Sequence, residues 1–330
     1  MRTLRPMAIA IVALMSGLVL AQSSGPQQLP SNPQPQAPSS PSPTPQIPRT
    51  APSTSSTPAP PAQTPPAPAA PNASVIPAAA ERHYHAARQA EKEKDYDNAI
   101  KEYQAAIKEY ADYVEALYPL SNLQMNKGDY SEAIANLRQV VMLKPSDANA
   151  HNDLGYALKK NGEAKAAAAE YLQALRLNPR MAVAHNNLAN LLYASHQYSA
   201  AIEHYHAALQ IQPANADARM NLATCLDVIG KSDDAIVEYK EAVRLRPNDA
   251  NIHFNLAIAF QNAKEPASAV AELKTATKLA PDWLAPHLML YKLLKDSDPK
   301  SALDECMMVD GLSHDAKLHD QCLELQKRSQ

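Results

Sequence analysis

Five prolines stand at positions 145, 179, 213, 247 and 281 of this 330-residue chain, each 34 residues after the last. Each closes a similar phrase: LKP, LNP, IQP, LRP and LAP. Alanines keep the same step at Ala99, Ala133, Ala167, Ala201, Ala235 and Ala269. Four residues beyond them come Tyr103, Leu137, Tyr171, Tyr205, Tyr239 and Leu273, and leucines recur at 120, 154, 188, 222 and 256. So many positions in step mean that one supersecondary unit is repeated. A unit of this length cannot bury an apolar face alone, but a stack can.

Within each unit the punctuation suits two helices. Gly128, Gly162 and Gly230 recur where a first helix must stop, because glycine adopts the left-handed conformation there at little cost. Asp147, Asn248 and Asp282 follow the second helix and are expected as N-caps of the next unit. Pro266 and Pro286 suit the first turns of their helices.

A 34-residue unit with this pattern resembles the tetratricopeptide repeat (TPR). With the recurring alanine as position 20, six gapless repeats run over 80–113, 114–147, 148–181, 182–215, 216–249 and 250–283. The family's small residue at position 8 appears as Gly155, Ala189, Ala223 and Ala257; its position 27 appears as Ala106, Val140, Ala174, Ala208, Ala242 and Ala276. The resemblance implies an all-α solenoid, a right-handed superhelix of helix-turn-helix repeats. Some residues depart from it. Pro119 falls inside the first helix of repeat two, where it is expected to kink the helix or delay its start. Repeat one carries small Ala86 and Ala87 in place of large residues. Residues 284–312 read as a degenerate seventh repeat whose alanine, Ala302, comes one residue early. Residues 313–330 read as a C-terminal capping helix, with Leu318, Cys322 and Leu325 on one face.

The first 79 residues are of another kind. They hold no Asp, Glu or Lys, and only Arg2, Arg5 and Arg49. Arg2 and Arg5 precede the apolar run Met7–Leu20, and Val19-Leu20-Ala21 resembles an export cleavage site, so residues 1–21 read as a signal peptide. An uncleaved anchor is the alternative; after cleavage no membrane insertion is expected. Residues 22–79 hold 18 of the 28 prolines and read as a disordered linker rich in Pro, Gln, Ser and Thr. The remaining residues carry 28 basic against 34 acidic side chains. That balance argues against a nucleic-acid partner, which requires a basic stripe.

The chain carries no GxSxG, HExxH, Walker loop or CxxC. No enzyme activity and no cofactor are expected. His83, His151, His185, His253 and His287 share position 4. Equivalent positions on stacked helices lie about 8–10 Å apart, too far to share a metal ion, so the row reads as packing. His204 and His206, two apart, point to different faces. Cys225 reads as a small buried hydrophobe. Cys306 and Cys322 fall on neighbouring helices of the terminal cap, where export permits a disulfide and separate buried thiols are the first expectation.

What remains is a row of amides. In the family, first-helix positions 2, 5, 6, 9, 12 and 13 face the concave groove. Position 6 holds Asp153, Asn187, Asn221 and Asn255 in consecutive repeats. Position 5 adds Asn152 and Asn186; position 9 adds Asn122 and Asn190. The row resembles the asparagine ladder of superhelical TPR domains such as that of O-linked GlcNAc transferase. The resemblance implies amides that hold the backbone of an extended peptide, since an amide offers a donor and an acceptor as a peptide unit does. The alternative is that these amides bond within the array or to water. Position 5 turns apolar at Met220, Phe254 and Leu288, with Ile258 at position 9; these are expected to anchor an apolar residue of the partner. The partner so implied is a protein or peptide, and the role an interaction scaffold of the cell envelope. The alternatives are a targeting module of an envelope enzyme, such as a glycosyl transferase or cell-wall enzyme, and a self-associating structural protein. Oligomeric state stays open.

Overall fold

The computed structural model describes residues 76–313 and 316–328. Residues 1–21, read as a signal peptide, and residues 22–75, read as linker, lie outside the described residues. Fifteen helices and no strand occur among the described residues. They alternate as first (A) and second (B) helices. The A helices are α1 (Ala78–Lys92), α3 (Val114–Lys127), α5 (Ala148–Lys160), α7 (Ala182–Ala194), α9 (Ala216–Val228), α11 (Ala250–Asn262) and α13 (Leu284–Leu294). The B helices are α2 (Tyr96–Glu109), α4 (Tyr130–Leu143), α6 (Ala164–Leu177), α8 (Tyr198–Ile211), α10 (Ser232–Leu245), α12 (Pro266–Leu279) and α14 (Pro299–Ser313). Helix α15 (Ala316–Arg328) closes the array. None of the helices described is long and apolar enough to cross a membrane.

The period sets the packing. Ala99, Ala133, Ala167, Ala201, Ala235 and Ala269 are all fully buried, which lets B lie close against A. The tyrosines and leucines four residues on fill the space between helices. Gly155 shows how close the approach becomes. A Cβ built there would lie 2.8 Å from the Tyr171 ring. In repeats four and five the equivalent tyrosine makes a hydrogen bond to position 9, Tyr205 to Asn190 (2.6 Å) and Tyr239 with Thr224 (2.8 Å). Position 9 of repeat three is Tyr156, and the buried Tyr171 hydroxyl has no partner there.

The A–B turns of repeats one to six are built alike. The residue at position 15 is left-handed in each: Gly128, Gly162 and Gly230 as expected, and also Lys94 (φ 62°), His196 (φ 59°) and Lys264 (φ 64°). In each, the next N–H reaches the carbonyl five residues back, from Asp95 to Ala90 through Glu265 to Phe260, at 2.8–2.9 Å. This is the Schellman closure, and it demands the left-handed residue whatever the side chain.

Three expectations change. From α3 onward the N-cap of each A helix is repeat position 34, directly before the helix, so Asp249 rather than Asn248 caps α11 by accepting from the Asn251 N–H (3.0 Å). Trp283, not Asp282, precedes α13 and makes no side-chain cap. Asp147 caps α5 as expected. Pro119 does not delay α3, which begins at Val114 and runs through it; only the Pro119 nitrogen lacks a donor. Pro266 opens α12, and Pro286 sits in the first turn of α13.

The C-terminal end is closed covalently. Cys306 on α14 and Cys322 on α15 form a disulfide with Cα atoms 5.6 Å apart, in place of two separate thiols. Cys306, Cys322 and Leu325 are buried together against the last repeat. Cys225 is a buried free thiol, pushed up to about 12 by desolvation and therefore unreactive at neutral pH.

Candidate functional site

Helices α5, α7, α9 and α11 touch one another in succession, while successive B helices approach one another less. The A helices therefore form the inner wall, and their outward-facing residues line it. Asn122, Asp153, Asn186, Asn187, Asn190, Asn221 and Asn255 are all partly exposed on these helices, and Asn152 is buried.

Many of these amides bond one another across repeats. Asn187 Nδ2 donates to Asn152 Oδ1 (3.1 Å), whose own Nδ2 donates to Asp153 Oδ1 (3.0 Å). Asp153 in turn accepts from the Tyr118 hydroxyl. This chain runs through repeats two, three and four. A second begins at Asn190, whose Oδ1 accepts from both Tyr205 Oη (2.6 Å) and Asn221 Nδ2 (3.0 Å), joining repeats four and five. Burial raises the Asp153 carboxyl above its usual range, and the Tyr118 and Asn152 hydrogen bonds oppose that shift. Asn186 Oδ1 is buried with no hydrogen-bond partner. Each bonded amide uses part of its capacity: Asn187 and Asn221 each give one of two N–H groups to a neighbour.

The apolar half of the wall is partly filled by the chain itself. Phe254 is only 7% exposed and stands against Trp283, ring centroids 4.7 Å apart and tilted 57°. The chain's own indole covers the phenylalanine expected to meet a partner. Met220, Ile258 and Leu288 stay partly exposed. Further along the wall, burial and neighbouring Lys160 hold the Lys159 ammonium below its usual range.

The position-4 histidines behave as a set. Nδ1 of His83, His151, His253 and His287 meets Glu102, Glu170, Glu272 and Glu305 at 2.5–2.7 Å. In repeat five the pair is Arg219 with Glu238, at 2.6 Å. Nε2 of His151, His253 and His287 also meets the carbonyl of the recurring proline, at 2.9–3.2 Å. The row ties A to B and each repeat to the one before it, through partners 18 or 19 residues on. That spacing is visible in the sequence as Glu102, Glu170, Glu238 and Glu272. In repeat four the partner is His204, at the same 19-residue separation. No three His, Cys, Asp or Glu side chains among the described residues are placed to hold a metal ion.

Residues 122–162 and 229–263 match a family model described as TPR repeat. Residues 84–135, 148–181 and 192–238 match three described as tetratricopeptide repeat. No curated protein matches the chain. Among solved structures it is similar to a tetratricopeptide repeat protein from Parabacteroides merdae, at 16% identity over 75% of this chain and 98% of that one, TM-score 0.56. It is similar to pilF of Pseudomonas aeruginosa at 22% identity over 63% and 95%, TM-score 0.55. MamA gives 25% identity over 52% and 94%, TM-score 0.49. Matched along most of its helical length by repeat models and built of paired helices at the family's own period, the chain belongs to the tetratricopeptide repeat proteins.

Proposed function

We propose that this chain is a non-catalytic interaction scaffold of the cell envelope that grips an extended segment of a protein or peptide along its inner wall. The observation that carries the reading is the succession of Asn187, Asn221 and Asn255 at one register in three consecutive repeats, partly exposed and with bonding capacity to spare. TPR folds serve typically as interaction modules, and their usual partners are proteins or peptides. The amides supply affinity without reading sequence. Each net hydrogen bond contributes about 1 kcal/mol, against an association cost of at least ~4 kcal/mol. Three or four amides alone bind weakly. Met220, Ile258 and Leu288 supply the apolar contact that selects a partner.

Two features support the envelope assignment: the charged and apolar leader in the sequence, and the Cys306–Cys322 disulfide, a bond that persists in oxidising compartments. The test is capture from envelope extract by the natural repeats and by the Asn187→Ala/Asn221→Ala/Asn255→Ala variant, both folded by circular dichroism. Loss of one or more captured proteins supports the ladder, and identical capture sinks it.

A further inference from the structure

Repeat four breaks the rule that every other repeat of this set obeys. Where position 4 meets a carboxylate in repeats one, three, five, six and seven, His185 meets a second imidazole, with Nδ1 of His185 3.0 Å from Nδ1 of His204. The ring centroids lie 5.2 Å apart, so the two nitrogens face each other between the rings. His185 Nε2 lies 3.1 Å from the Pro179 carbonyl oxygen. A carbonyl only accepts, so Nε2 carries the hydrogen and Nδ1 of the neutral ring is an acceptor. His204 Nδ1 must then be the donor.

This arrangement has room for one proton between the rings and no anion to welcome more. A first added proton goes to His204 Nε2 and creates a charge in a partly buried place. A second goes to His185 Nδ1, removes the acceptor and sets two cations face to face. On the packed elements, the nearest equivalents are already paired: His151 with Glu170 on α5 and α6, and Arg219 with Glu238 on α9 and α10. Glu203 and His206 on α8 and Arg180 before α7 are exposed.

We propose that the His185–His204 contact is an acid-sensitive latch: it clamps α7 to α8 while both rings are neutral, and protonation loosens that pair together with Asn186, Asn187 and Asn190, which α7 carries. This rests on the reading of Asn187 as part of a gripping surface, and makes release of the partner respond to acid.

Burial holds both rings below the usual imidazole range, His204 to about 4, and the neighbouring His185 adds to that depression. The sign follows. Above the unfolded value near 6.5 the contact contributes in full. As pH falls toward 4 the unfolded chain binds protons that the folded one refuses, and the contribution is lost.

The test is hydrogen exchange on the full chain between pH 7.5 and 4.5, corrected for intrinsic rates. Protection in α7 and α8 is expected to fall at least tenfold more than in the flanking α5, α6, α9 and α10. The His204→Glu variant, which restores the carboxylate of the other repeats, abolishes that excess. Should it fail to fold at pH 7.5, the His185→Gln/His204→Gln variant, in which neither side chain can take up a proton, must abolish it too. Equal loss in all the helices, or the same excess in the variants, overturns the latch. Exchange needs no partner, so its failure leaves the gripping surface standing, and failure of capture leaves the latch standing.

Discussion

Asn190 is the residue at which structural and binding roles of the ladder separate most cleanly. Its Oδ1 is the shared acceptor for Tyr205 Oη and Asn221 Nδ2. In Asn190→Ala the Tyr205 hydroxyl, on a residue 1% exposed, loses its 2.6 Å acceptor, which costs about 1–3 kcal/mol. The bond lost by partly exposed Asn221 adds about 0.5–1 kcal/mol. The better helix propensity of alanine returns about 0.5 kcal/mol. The net expectation is a loss of about 2 kcal/mol. Asn255→Ala loses no such bond and should be neutral or slightly stabilising. Urea denaturation followed by circular dichroism reads both as shifts in midpoint at unchanged slope. Tyr205→Phe removes the stranded hydroxyl, so in that background Asn190→Ala should cost about 1 kcal/mol less. Equal effects of Asn190→Ala and Asn255→Ala, or no coupling to Tyr205, would refute the assignment of Asn190 to the array rather than to a partner.

Two further expectations concern the turns and the cap. Lys94→Gly and Lys264→Gly should each stabilise by about 0.5–1 kcal/mol, since each relieves a left-handed side-chain residue, while Gly162→Ala should lose about 1 kcal/mol; chemical denaturation measures all three. Cys306→Ser opens a disulfide whose partners are 16 residues apart, so it should destabilise the cap by about 3 kcal/mol and raise hydrogen exchange in α14 and α15 before the central repeats.

The sequence was legible wherever one position repeats for one reason. The alanines at position 20 are buried because two helices must touch, and that need recurs every 34 residues. The glycines at position 15 marked a turn, but Lys94, His196 and Lys264 occupy the same left-handed place, because closure of the turn overrides residue preference. Contacts between residues distant in sequence were harder to read. Position 5 of repeat six is apolar because Trp283 lies on Phe254, and no periodicity announces a meeting of two unlike residues. The same holds for His204: its partner is 19 residues away on the facing helix, where helix-face spacing has nothing to say. Register alone marks the amides, yet their bonds to one another through Asn152 and Asn190 depend on how far the A helices close up.

The central claim is that the inner wall of A helices holds a partner. Photo-cross-linking residues placed in turn at Asn255 and Ile258 on α11, and at Met142, 70% exposed on helix B of repeat two, test it in the living cell. The same discrete adduct is expected from Asn255 and Ile258, absent at Met142 and weakened by Asn187→Ala/Asn221→Ala. Adducts from Met142 alone, or equal adducts at all three, would contradict it.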